Sequence, residues 1–502
     1  MKQVVIENPI INSAFHEPLR HFRFDDNGIT SDIEEYRRIS HYFIPIAQAK
    51  KKGKKTEQLE IELAGEWTQD RVKPNNFINQ IRDKVSWWRR GGYLGVTPIT
   101  RRLLNYWQNT QRERRLYFCQ IEALETLIYI TEIANKYGDH WIQNDLRRFN
   151  EDANPLLFRM ASKMATGSGK TVVMSMVIAW HTLNKITNPQ SRLFSDAFLI
   201  VAPGITVRDR LRVLLPNDSE NYYRKMDLSP PDLMPELAKA KIVITNYHAF
   251  KLREHTAAGK LTKSILNQGK DSPFTETPGQ MVRRVCKGLG NKKNIIVIND
   301  EAHHCYRRRV GGDEVKLKGD ERKEAEKREE EARVWISGLE AVASKIGIKV
   351  VHDLSATPFF LKGSGYPEGN LFPWVVSDFS LIDAIESGIV KIPRVPVSDD
   401  NMKGELPTYR NIWPLIRDYL PKKGRGNKDE SHSTVEPKLP KELEGALQSL
   451  YENYQKAFAL WQENPEADAR GITPPVFIVV CNNTNVSKLV YDYSGFQPYE
   501  VQ

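Results

Sequence analysis

The stretch "MATGSGKT", residues 164–171, decides how the rest of the chain is read. An apolar stretch precedes it and "VVMSMVIAW" (172–180) follows, so its two glycines stand between a strand candidate and a helix candidate. The strict phosphate-loop spacing G-x-x-x-x-G-K-[ST] asks for glycine where Met164 stands, and it fails by that one residue. The physical requirements are met nonetheless. Gly167 and Gly169 let backbone N–H groups converge on phosphate oxygens without a Cβ in the way, and Thr166 and Ser168 complete the turn. Lys170 reaches the β- and γ-phosphates, Thr171 ligates Mg²⁺, and the following helix turns its positive end toward the anion. An isolated glycine turn between a strand and a helix would use the same residue types, so the decision falls to the rest of the chain.

Outward from this loop, short apolar runs alternate with amphipathic stretches. "PLLFRM" (155–160), "AFLIVAP" (197–203), "KIVITN" (241–246), "NIIVIND" (294–300) and "IKVVHDLSA" (348–356) are rich in β-branched residues and apolar on both faces. Such strands are covered by helices on both sides, and the lengths between them suit the crossovers that parallel neighbours require. The fourth run ends in "NDEAHH", which sets Asp300 and Glu301 at the carboxyl edge of the sheet, where open α/β folds bind ligands. Asp300 is then placed to hold the Mg²⁺ shell, and Glu301 to orient and deprotonate an attacking water. A carboxylate pair at a strand end also suits a helix cap, but beside a phosphate loop the nucleotide reading prevails. It requires Lys170 and Thr171 to meet Asp300 and Glu301 across neighbouring strand ends.

The 502 residues exceed one ordinary domain, and a net charge of +10 favours a polyanionic partner or an acidic surface. Four cysteines (Cys119, Cys286, Cys305, Cys481) with no CxxC pair suggest neither a disulfide framework nor a zinc site. No apolar run approaches the roughly 18–20 residues of a membrane span, and "MKQVVIENPI" lacks a secretory core, so a soluble cytoplasmic protein with no membrane partner is expected. Residues 1–110 are polar and basic, with a lysine run at Lys50–Lys55 and "SWWRRGG" at 86–92, and are expected to form an accessory domain. Trp87 and Trp88 are read as half-buried packing residues with an arginine rim. The charged stretch 313–334 reads as a solvated helix, and "PKKGRGNKDESHSTVEPKLPK" (421–441) as a mobile loop inside a connector spanning 396–472. "PPVFIVVCNN" (474–483) opens a further buried-strand pattern followed by a helix.

"ATGSGKT", "DEAH" (300–303) and "SATP" (355–358), in this order, resemble motifs I, II and III of superfamily 2 helicases and translocases. The resemblance implies an α/β fold: a RecA-like P-loop domain with a parallel sheet flanked by helices over 111–395, and an incomplete second RecA-like domain over 473–502. It implies ATP and Mg as cofactors. "VAPGITVRDRL" (201–211) and "VITNYHAF" (243–250) are similar to the strand-contacting motifs Ia and Ib, which assigns Arg208, Thr245 and Asn246 to a nucleic-acid backbone. "RLYFCQIEA" (115–123) is similar to the adenine-recognition segment, with Gln120 on the base edge and Tyr117 or Phe118 near its face. The pattern makes His303 a link from the hydrolysis site to Ser355 and Thr357, and gives His304 no such role. Cys305 lies too close in sequence to both histidines to build a tetrahedral metal site with them unaided.

A broader likeness rests on "HEPLRHFRFDDNGIT" (16–30), "SWWRRGGYLGVTPITRRLLNYW" (86–107), "YFCQIEALETLIYITE" (117–132) and "MATGSGKT". These resemble the amino-terminal half of bacterial DEAD/DEAH-box proteins related to the type III restriction Res subunit. Double-stranded DNA as the track, ATP-driven translocation or strand separation, and defence against foreign DNA are what that likeness implies. A modification methyltransferase subunit and a separate carboxyl-terminal helicase/nuclease polypeptide are the further partners. Relatives carry motifs V and VI, whose arginines reach the γ-phosphate. No counterpart stands before Gln502, and lack of such a finger costs on the order of 10³ to 10⁵ in rate, so nucleotide and DNA binding with weak or absent turnover is expected of these residues alone. A non-cycling binding fragment and an RNA helicase are the alternatives.

Overall fold

The computed structural model describes residues 6, 8–25, 28–43, 72–253, 275–309, 319–361, 363–391, 412–421, 439–465 and 474–494. The chain divides into two units, Met1–Ile392 and Pro393–Gln502. The first contains β1 (His21–Asp25), β2 (Gly28–Glu34), β3 (His41–Phe43), β4 (Val72–Pro74), α1 (Asn76–Arg90), α2 (Pro98–Trp107), α3 (Phe118–Ile128), α4 (His140–Ala153), β5 (Arg159–Met164) and α5 (Lys170–Thr187). It continues with β6 (Ala197–Ala202), α6 (Ile205–Arg210), β7 (Lys241–Asn246), α7 (Pro278–Val285), β8 (Ile295–Asp300), α8 (Gly319–Ile346), β9 (Ile348–Ser355), β10 (Val375–Phe379) and α9 (Leu381–Glu386).

Strands β5–β10 form one six-stranded sheet in the order β10-β5-β9-β8-β6-β7. Every pairing in it is parallel. Alternation along the strands sorts side chains to two faces. Phe198, Ile200, Ile296 and Ile298 pack into one core with α3 and α5, whereas Leu199, Val201, Ile295 and Val297 pack into another with Trp335, Ile336 and Leu339 of α8 and Met281 of α7. Helix α5 is buried from Val172 to Asn184, as a helix that is apolar nearly all round must be. The sheet is therefore the flanked parallel sheet expected of a RecA-like domain.

Several expectations change in this unit. The first strand is not 155–160 but β5, shifted toward the loop: Leu156 is exposed, while Arg159 and Ser162 are buried, Arg159 with Asp353 as its buried counter-ion. β10 was not foreseen, and it completes the sheet beside β5. Residues 76–107 do not build a separate core, since Ile78, Trp88, Leu103 and Trp107 belong to the same apolar cluster as α5 and the sheet. Ser40 and Arg82 reach β10 by donating to the Asp378 carboxylate and its backbone carbonyl at 2.7 and 2.8 Å. The charged stretch 313–334 runs into α8, whose second half is a core helix carrying buried Trp335, Leu339 and Val342; residues 310–318 lie outside the described residues.

In the second unit, α10 (Lys441–Gln462) and α11 (Thr484–Ser494) contribute to a small apolar cluster of Leu447, Val486 and Val490 with Ile416 and Leu420. The expected strand at 474–483 is corrected: it is not assigned to a sheet, and Val476, Ile478 and Val480 are exposed, because no described strand offers it a ladder. The lysine run 50–55 and residues 422–438 of the expected loop lie outside the described residues. All four cysteines are free. Among the described residues no helix is long and apolar enough to cross a membrane.

Candidate functional site

Parallel strands leave their carboxyl ends on one edge, and three loops meet there. β5 ends at Met164, which is buried strand rather than turn, so the position where the strict motif wants glycine needs no special backbone here. The chain then turns through Gly167 at φ +85° and Gly169 at φ +91° before α5 begins at Lys170. An added Cβ on Gly169 would stand 2.1 Å from Gln120 Nε2, so both conformation and space demand glycine there. Ser168 closes the turn on itself: its N–H and Oγ both donate to the Ala165 carbonyl, at 3.1 and 2.6 Å.

Gln120 is buried beneath this turn. Its Nε2 donates to the Ser168 carbonyl at 3.0 Å, and its Oε1 accepts from the Tyr117 N–H at 3.0 Å. One end of the amide braces the phosphate loop and the other caps α3. Tyr117 meets Phe15 with ring centroids 5.7 Å apart, and the Arg115 guanidinium lies 4.4 Å from the Phe15 ring. Phe118 is buried, with the Arg37 and Arg89 guanidinium groups 5.4 and 4.9 Å from its ring centroid. The sequence pattern flagged Gln120, but the role of Phe15, a hundred residues upstream, carried no signal.

The acids arrive from β8. β9 lies between β5 and β8, so the phosphate loop and the acids are not on hydrogen-bonded neighbours as expected; the strand ending at Ser355 separates them. The gap is bridged by side chains. Lys170 Nζ lies 3.0 Å from Glu301 Oε1, and the Glu301 N–H donates to Asp300 Oδ1 at 3.1 Å. Glu301 adopts φ +49°, ψ +50°, a left-handed conformation uncommon for a residue with a side chain and often found where geometry is forced at a site. Burial, then the Glu301 charge, push the Asp300 carboxyl up to about 6, against the opposing pull of Lys170 and Arg210. A buried acid beside a second acid is a place that favours a cation.

His303 joins this edge to β9. Its Nδ1 lies 3.0 Å from Ser355 Oγ and 3.6 Å from Glu301 Oε2, and Ser355 Oγ in turn accepts from the Thr357 N–H at 3.1 Å. Burial and then the neighbouring His304 lower the His303 imidazole to about 4, so it is neutral at physiological pH. Among the described residues, no group of three or more His, Cys, Asp or Glu is arranged to hold a metal by itself, so a cation here needs Thr171 or a ligand oxygen as well.

The remaining candidates lie farther along the same edge. β6 and β7 are neighbours, with Val201 opposite Thr245 and Ala202 opposite Asn246. Asn246 is buried and Thr245 Oγ1 donates to its carbonyl at 3.4 Å. Arg208, on α6, donates Nε and Nη2 to Asp209 Oδ1 at 2.9 and 2.6 Å, so its charge is already shared with a neighbour.

Residues 113–360 match the family model described as type III restriction enzyme, res subunit. The matched span includes Gln120, the glycine turn, the acids and Thr357; α1, α2 and β10 fall outside it. No curated protein and no solved structure matches the chain.

Proposed function

We propose, from residues 113–360 being a domain of the type III restriction enzyme res subunit family, a DEAD-like helicase family, that this chain is an ATP-dependent motor on double-stranded DNA in a system that restricts foreign DNA. The supporting observation is the 3.0 Å approach of Lys170 to Glu301 beside Asp300, which unites the glycine turn and the acids in one site.

The residues present fit a magnesium nucleotide. The backbone N–H groups of Gly167, Gly169, Lys170 and Thr171, at the amino-terminal end of α5, and the Lys170 side chain would hold the β- and γ-phosphates; Thr171 and the buried Asp300 would hold the metal. The metal, when bound, supplies neutralisation of charge on the phosphate oxygens. Lys170 exchanges Glu301 for phosphate, which releases the Glu301 carboxylate to orient a water and accept its proton. Gln120 acts on the nucleotide through the Ser168 carbonyl that it braces. His303, Ser355 and Thr357 carry changes at the acids to the end of β9. Arg208, Thr245 and Asn246 contact one strand backbone, with Arg208 exchanging Asp209 for phosphate. The partner in this reading, beside the DNA, is a modification methyltransferase subunit.

The test is ATP hydrolysis with duplex DNA, single-stranded DNA and RNA in parallel, for the wild type and Lys170→Ala. Hydrolysis stimulated by duplex DNA and abolished by the substitution is expected. Equal activity in both proteins would remove the site, whereas stimulation by RNA alone would keep the site and change the track.

A further inference from the structure

At the edge of the sheet opposite the glycine turn, where β5 and β9 begin, lies a cavity of about 520 Å³. Ile130, Phe158 and His181 line it, with Arg147, Arg192 and Lys349 among its polar walls. His181 lies on α5, eleven residues beyond Lys170, or roughly 16 Å along the helix axis. It is 1% exposed, and neither of its ring nitrogens has a hydrogen-bond partner among the described residues. A neutral imidazole carries one donor and one acceptor, and leaving both unmet in a protein interior is costly enough that such groups usually mark an absent water, ion or ligand. The rings around it meet no nitrogen of its ring: Trp180 lies 4.1 Å away between centroids, with its Nε1 donating to Glu132, Phe194 and His352 each lie 5.7 Å away, and the His352 nitrogens are unpartnered too.

The cations of the cavity lack an opposing charge among the described residues. Among the described residues no carboxylate pairs with Arg147, Arg192 or Lys349; Lys349 donates instead to the Arg192 backbone carbonyl. Glu151 is the one acid on the lining, so positive charge prevails. Apolar walls, an excess of cations and a buried imidazole seeking a partner together describe the complement of one kind of molecule.

We propose that this cavity binds a small amphipathic anion, with an aromatic or similarly flat apolar body against Ile130 and Phe158, a carboxylate or phosphate at Arg192 and Lys349, and a polar atom at His181. The occupant touches α5 and the start of β9, the two elements whose other ends carry Lys170 and Ser355. The site is independent of the nucleotide reading, and its test has no hydrolysis step.

The test is calorimetric titration of the full chain with 4-hydroxybenzoate, benzoate, 4-hydroxybenzyl alcohol and inorganic phosphate, up to about 20 mM because millimolar affinity suits a probe of this size. Saturable 1:1 binding of 4-hydroxybenzoate is expected, about tenfold weaker for the neutral alcohol and in Lys349→Ala or Arg192→Ala, each of which removes a charge-assisted hydrogen bond. His181→Phe keeps the ring volume and removes both nitrogens, so it is expected to fold and to bind 4-hydroxybenzoate no better than benzoate. Two results would overturn the proposal: no saturable binding of 4-hydroxybenzoate, or binding that is the same in the wild type and in all three variants. Phosphate binding as tightly as 4-hydroxybenzoate would overturn the apolar half of it. Thermal midpoints of each variant establish that the folded protein is being titrated.

Discussion

The sheet carries two polar clusters, one buried around Arg159, Asn299 and Asp353 and one at the carboxyl ends of β5, β8 and β9, and the two are built differently. In the buried cluster, Arg159 donates Nε to Asp353 Oδ2 at 2.8 Å and Nη1 to the Cys305 carbonyl at 2.8 Å. Asp353 also accepts from Asn299 Nδ2 at 2.8 Å and Trp374 Nε1 at 2.9 Å, and Trp335 Nε1 donates to Asn299 Oδ1 at 3.2 Å. Arg159, Asp353 and Asn299 are all buried, and the Arg159 guanidinium lies 4.8 Å from the Trp374 ring. At the ends, by contrast, Glu301 is a third exposed, Lys170 has that one carboxylate for a partner, and Glu301 sits in a forced backbone conformation. The closed cluster fixes the strands relative to one another. The open one, mounted on them, keeps its groups available.

The contrast is broken most directly by Arg159→Ala, which leaves the Asp353 carboxylate buried without its cation. A loss of about 3–5 kcal/mol is expected in denaturant unfolding, against under about 1 kcal/mol for Lys170→Ala, whose partner remains partly in water. Equal costs would show that the two clusters do the same job. His352, next to Asp353 and buried without partners, sharpens the point. Burial lowers its imidazole to about 3, below the ordinary 6.5, so its contribution is present above about 6.5 and is lost as pH falls toward 3. Between about pH 7 and about pH 5 this amounts to about 2 kcal/mol, and His352→Phe is expected to flatten that slope in pH-dependent unfolding.

A smaller effect is expected at the open site's own scaffold. Gly169→Ala forces a side chain into φ +91° and against Gln120, costing about 1–2 kcal/mol of stability and weakening nucleotide binding in a fluorescent-nucleotide titration. The smallest concerns the adjacent tryptophans, which part company: Trp88 is 1% exposed and donates Nε1 to the Leu94 carbonyl at 2.9 Å, whereas Trp87 is 55% exposed, edge-on to Tyr137. Only Trp88 is the packing residue. Trp87→Ala is expected to change stability by no more than about 0.5 kcal/mol in the same unfolding measurement.

The strands β6, β7, β8 and β9 were legible because residues apolar on both faces leave little choice but a covered sheet. β5 misled by hydrophobicity. Its two charged residues are tolerated in the sheet because each finds a counterpart, Arg159 in Asp353 and Lys163 in Asp378, both at 2.8 Å, and a sequence does not display pairings almost two hundred residues apart or more. β10 was hidden too: it is five residues long and carries Ser377 and Asp378, of which Asp378 is held by Lys163 and Ser40. The run at 474–483 erred in the other direction, since an apolar strand pattern needs a neighbouring ladder as much as its own residues. At the site, spacing pointed to Lys170, Asp300, Glu301, His303 and Ser355 because motif order survives in the sequence. The Gln120 bond to Ser168, the Phe15 contact and the interposed β9 depend on how the chain is threaded, which spacing does not carry.

The most direct measurement is a paired one on Glu301→Gln with duplex DNA present: equilibrium binding of magnesium ATP and its rate of hydrolysis. Binding at wild-type strength with hydrolysis lower by about 10²-fold or more is the predicted result, since the amide keeps the shape of the carboxylate but takes no proton. Hydrolysis at the wild-type rate would contradict it, and Glu301 would then be a neighbour of the phosphate loop with no part in the chemistry.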